Sequence, residues 1–139
     1  TINERIDVFR KAVEARGRTF DASEVGVARG LYVAKGAADR DAAIEKRINA
    51  RRRVDNLAQR PDGGNKASIM SYDDTTETTA EAAMYGTVDE IAEKIQKLHD
   101  AGIRYLLFAD GGSGIEGLRT FSEEIIPAFA DDDTAEAAE

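Results

Sequence analysis

The sequence predicts an α/β protein with parallel strands, and two observations carry that prediction. Two stretches each write a helix, a Gly stop and a short apolar run in that order, and each apolar run is too continuous for a strand with one wet face. The clearer unit runs from Met84 to Phe129. Thr87 followed by Glu90 has capping-box spacing, and Ile91, Ile95 and Leu98 form the apolar stripe of the helix, which Gly102 ends. Tyr105 to Ala109 reads as a strand suited to a parallel sheet covered on both faces. After a Gly-rich turn, Ser113 and Glu116 repeat the capping-box spacing. Leu118, Phe121, Ile125 and Ile126 then supply a second stripe, closed by Pro127.

The earlier unit spans Ile2 to about Leu57. Ile2, Ile6, Phe9 and Val13 recur at helical spacing, with Gly17 as a left-handed cap. Val25 to Ala34 is apolar apart from Arg29. Its large residues Val25, Val27, Leu31 and Val33 share one parity, so a strand buried on both sides is expected. Asp39 to about Ala58 reads as a third helix, with Ile44, Ile48, Val54 and Leu57 inward. Its Arg51, Arg52 and Arg53 could suggest anion binding, but a run of three covers most of a turn, which points to a solvated face instead. Between residues 60 and 83 no apolar period is sustained, and a long mobile loop is expected there, with Tyr72 able to close over a substrate. Residues 131 to 139 hold five carboxylates and no large apolar side chain, so residues 1–130 form the domain and the rest a solvated acidic tail.

With 139 residues and 42% apolar content, the chain has material for one core. It has no cysteine, which excludes disulfides, thiolate catalysis and the usual zinc cages. A net charge of -8 argues against nucleic acid and anionic membranes as partners. Without an apolar span or a signal sequence, the chain is expected to be cytoplasmic.

Two parallel strands with about four helices do not make a stable sheet, because each strand leaves an open edge. The pattern therefore suggests the C-terminal portion of a larger parallel structure, a (β/α)₈ TIM barrel, which takes about 250 residues. On this reading a missing barrel half or a second copy of the chain completes the fold.

Specific residues also carry a family resemblance. Y-G-T-V-D-E-I-A-E-K-I, A-G-I-R-Y-L-L-F and L-R-T-F-S-E-E-I-I-P-A-F resemble the carboxy-terminal end of the luciferase-like flavin-dependent monooxygenases, the group that includes bacterial luciferase and limonene-type monooxygenases. R-G-R-T-F-D and V-G-V-A-R-G-L-Y-V-A are similar, more loosely, to the preceding helix and strand of that family. The resemblance implies an oxidoreductase, a flavoprotein using reduced FMN or the deazaflavin F420 on a small organic substrate. It also implies that the family's catalytic histidine and most of its flavin-phosphate contacts have no counterpart in this chain. No catalytic residue carries over, and the chain taken alone is expected to be inactive.

The rim of such a site would hold Asp110, Gly111, Gly112 and Ser113 on the flavin side and Arg29, Tyr32 and Tyr72 on the substrate side. G-S-G-I-E-G, residues 112 to 117, matches a dinucleotide fingerprint in letters, but no second strand ending in an acidic residue follows it. The turn can instead be purely structural, or offer backbone N–H groups to an anion. His99, the one histidine, falls at the end of a helix, where a structural or surface role is expected. Arg29 in mid-strand calls for a carboxylate or a ligand nearby. A non-catalytic chain that pairs with another polypeptide through its strand edges is the alternative to an enzyme.

Overall fold

A computed structural model describes residues 2–57 and 76–130. The first helix, α1, spans Ile2–Glu14, and Gly17 beyond it adopts φ 72°, the left-handed conformation expected of a helix stop. A short 3-10 turn, Ala22–Glu24, leads into β1, Gly26–Val33. Helix α2 covers Ala37–Leu57, α3 Thr76–Ala82, β2 Met84–Gly86, α4 Val88–Asp100 and β3 Tyr105–Asp110. Helix α5, Gly114–Thr120, continues through a widened turn at Phe121–Ile125 into a 3-10 segment, Ile126–Phe129.

The strands form one parallel sheet in the order β2-β1-β3. Three strands are therefore present where the sequence predicts two: α3 occupies the end of the region expected to be loop, and β2 follows directly after it. Met84-Tyr85-Gly86 is too short to show a period of two, and T-E-T-T-A-E-A offers no apolar stripe. Tyr72, the rest of the expected mobile segment and the acidic tail lie outside the described residues.

Alternation along β1 divides the core in two. Val27 and Leu31, with Met84, face one side and pack with Ile6 of α1, with Ile91, Ile95 and Leu98 of α4, and with Ile125. Tyr32 and Tyr85 face the other side, against Ala43, Ile44 and Ile48 of α2. Helices thus lie on both faces, and β1, first in the chain, sits in the middle. Three consecutive strands of a singly wound barrel would keep chain order and place their helices on one face. This sheet has the arrangement of a doubly wound one.

Cover is unequal. The expectation that β1 and β3 are buried on both sides holds for one face only, since Tyr105 is 59% and Leu107 56% exposed. These two share the α2 side of the sheet with Ala28 and Gly30, but α2 packs over the Tyr32 and Tyr85 end. No helix among the described residues is long and apolar enough to cross a membrane.

Candidate functional site

The carboxyl ends of three parallel strands meet at one edge of the sheet, and the turn after β3 is the most constrained part of that edge. Gly111 N–H donates to the Leu31 carbonyl at 2.7 Å, tying the turn to β1. A β-carbon on Gly111 would stand 2.5 Å from the Tyr85 hydroxyl and 2.8 Å from that carbonyl, so only glycine fits. Gly112 and Gly114 have φ of 108° and 63°, which side chains rarely adopt. Asp110 Oδ1 accepts from Gly112 N–H at 2.9 Å and from Gly114 N–H at 3.4 Å. A carboxylate of the chain itself therefore occupies the donors that an external phosphate would need.

Ser113 differs from its expected role. Its side chain makes no capping bond, and its Oγ is buried without a hydrogen-bond partner. Gly117 lies against it: a β-carbon there would come within 2.2 Å of Ser113 Oγ. Glu116, expected to complete the capping box, pairs instead with Arg119 at 3.0 Å. The box at Thr87 does form, with Glu90 Oε2 accepting from Thr87 N–H at 2.9 Å. Glu90 also pairs with Arg40 of α2. Its carboxyl is held below the usual range, first by the Thr87 N–H and then, against some burial, by the Arg40 charge.

Tyr32 stands at the same edge. Its hydroxyl donates to Asp39 Oδ1 at 2.9 Å, and the Lys35 N–H donates to Asp39 Oδ2 at 2.9 Å. The bond to Asp39 raises the phenol's pKa, and the Lys35 N–H is the main reason Asp39 stays below the ordinary carboxylate value. Tyr85, the register partner of Tyr32, has its ring centroid 5.5 Å away.

Arg29 does not join this group. It lies on the opposite face, and its Nη1 donates to the carbonyl of neighbouring Ala28 at 2.9 Å. Burial and the nearby Arg5 both lower its pKa, and no carboxylate partner of Arg29 is found among the described residues. The ion pair expected on desolvation grounds is thus absent there. His99 lies at the end of α4, partly exposed, 3.9 Å from Asp100. Arg52 and Arg53 are exposed, as a solvated helix face requires.

Three residues that matter here were not singled out from the sequence. Lys94 Nζ donates to the carbonyls of Ala80, Ala83 and Tyr85 at 2.7, 2.9 and 3.0 Å, fastening α3 and β2 to α4. Burial lowers its pKa, and the nearby Glu90 charge opposes that effect. Asp39 anchors the Tyr32 hydroxyl. Arg47 leans on Tyr85, and its place beside Ile48 and three residues after Ile44 was the signal that it lies on the inner flank of α2. Among the described residues no group of acidic and histidine side chains is arranged to hold a metal ion.

Comparison with known protein families and with curated proteins finds no match to this chain.

Proposed function

We propose that the chain forms part of a flavin-dependent oxidoreductase that uses reduced FMN or F420 to oxygenate or oxidise a small organic substrate. The observation that carries the reading is the convergence of Tyr32 and the Asp110–Ser113 turn at the carboxyl edge of a parallel sheet, where ligands of α/β folds bind. The resemblance of the Tyr85–Ile95, Ala101–Phe108 and Leu118–Phe129 segments supplies the chemistry. Asp110 and the glycines shape the rim. Tyr32, held protonated by Asp39, offers a polar contact to substrate. Membership of a closed barrel would require β2 to take the place between β1 and β3, exchanging the β1–β3 ladder for a β2–β3 ladder.

Nuclear magnetic resonance titration with FMN and with F420 tests the reading, because it detects weak contact. Amide shifts confined to Tyr32 and residues 110–113 support it. No shift there with either flavin at millimolar concentration overturns it.

A specific observation also favours a second reading, that of a non-catalytic chain pairing with another polypeptide. Among the described residues the outer edges of β2 and β3 are unpaired, and Ile115 and Leu118, one helical turn apart, are 76% and 47% exposed. Self-association without any flavin contact would select this reading.

A further inference from the structure

The half-covered face of the sheet holds a cleft of about 570 Å³ between α2 and β3. Its floor is a ladder of mostly small residues. Gly30 pairs with Ala109, and Ala28 pairs with Leu107. Strand alternation turns all four away from the Leu31 side of the sheet. Ala28 and Ala109 are exposed, so a flat body laid on them would meet little beyond backbone and β-carbons.

Tyr85 and Arg47 make one wall. The Arg47 guanidinium carbon lies 5.6 Å from the Tyr85 ring centroid. Its Nη1 reaches so far over β1 that a β-carbon on Gly30 would stand 2.8 Å from it. Arg47 Nε is buried with no hydrogen-bond partner, and no ion pair of Arg47 is found among the described residues. Arg40, two turns earlier on the same helix, pairs with both Asp41 and Glu90. The contrast is not for want of acids, since the chain has 27 carboxylate side chains against 19 lysines and arginines. Asp110 is the acidic residue lining this cleft, and the Gly112 and Gly114 N–H groups hold its Oδ1 at the rim.

The Arg47 guanidinium lies over an apolar floor with no anion against it among the described residues, and a planar carboxylate is the group its fork of donors fits. We infer that this cleft binds a small organic carboxylate with a flat apolar body, the carboxylate against Arg47 where it covers Gly30 and the body on Ala28, Leu107 and Ala109. Its volume lies within the usual range for small-ligand sites. The inference rests on the cleft alone and stands whether or not the chain contacts flavin.

The test is an amide-shift titration of the chain with 2-naphthoate and with its neutral twin 2-naphthamide. It is repeated on Arg47→Met and on Ala109→Leu, which fills the exposed floor without entering the core. Naphthoate should shift the amides of Ala28, Gly30, Leu107 and Ala109. Naphthamide should bind about tenfold more weakly or worse, as loss of a charged hydrogen-bond pair implies. Arg47→Met should erase the difference between the twins, and Ala109→Leu should remove binding of both. Equal affinity of the two probes for the unmodified chain overturns the inference, as do shifts located elsewhere or no shift at millimolar naphthoate. The comparison of probes uses the unmodified chain, so it decides between these outcomes even where a variant fails to fold.

Discussion

The Tyr85 hydroxyl and Gly111 meet where β2 and the turn after β3 both come against β1: the hydroxyl lies 3.4 Å from the Gly111 carbonyl oxygen, and the phenol ring fills the space a side chain at 111 would need. Tyr85 is almost fully buried and cannot swing out without opening the α2 side of the core. Gly111→Ala is therefore expected to destabilise the chain by about 1–3 kcal/mol, the usual effect of forcing a methyl group into filled space. Tyr85→Phe should not rescue it, since the ring carbon Cζ, at 2.7 Å, and the Leu31 carbonyl remain in the way. Urea denaturation of the single and double variants checks this. An unchanged midpoint for Gly111→Ala would show that the turn yields more easily than its geometry implies.

The same place shows what could and could not be read from the sequence. Helix α4 was legible because Thr87, Glu90, Ile91, Ile95, Leu98 and Gly102 all give local signals that agree. Strand β2 was not, because three residues cannot display a period, and what makes them a strand is pairing with Leu31, Tyr32 and Val33, more than fifty positions earlier. The strand order was hidden for the same reason: each helix reveals its apolar stripe but not which face of the sheet it covers. At the candidate site, the positive φ of Gly112 and Gly114 was legible in residue type. The partner of Tyr32, the isolation of Arg29 and the reach of Arg47 were not, being set by tertiary contacts. Ser113 and Glu116 show the opposite failure, correct spacing for a box that the local packing of Gly117 displaces.

Lys94 is expected to contribute through geometry more than through charge. Replacing it with Met keeps the length of the side chain but leaves the carbonyls of Ala80, Ala83 and Tyr85 without their common donor. The loss should be about 1–3 kcal/mol, the range for buried polar groups left unpaired. Thermal unfolding measures the total. Amide exchange adds a signature that a mere packing defect would lack, faster exchange concentrated in α3 and β2. Uniform acceleration across the sheet would argue against a local clamp.

The Tyr32–Asp39 pair gives a pH dependence of known sign. The folded-state pKa of Asp39 is lowered, so its contribution is complete above the unfolded value of about 3.9 and is lost as pH falls through the lower folded value. Tyr32 is raised, so its contribution is present below about 10 and is lost as pH climbs through the higher folded value. Asp39→Asn should thus be less stable than the unmodified chain at neutral pH and approach it in strong acid. In the same variant the Tyr32 ring, followed by carbon-13 resonance, should titrate nearer the ordinary tyrosine value. A Tyr32 titration that ignores the substitution would mean the hydroxyl bond is absent in solution.

The last expectation concerns Ile115 and Leu118. Both project from α5 into solvent, on the helix that follows β3, whose outer edge is unpaired among the described residues. Apolar side chains at such a position lose little on meeting water once, but two of them beside an open edge make an adhesive surface. The chain is expected to self-associate at micromolar concentration, and the double substitution Ile115→Lys with Leu118→Glu should shift it toward monomer while leaving the circular dichroism unchanged, because neither residue belongs to the core. Light scattering reads the mass directly. If the unmodified chain stays monomeric at high concentration, the exposed pair does not drive assembly, and the reading of the chain as a pairing module loses its main support.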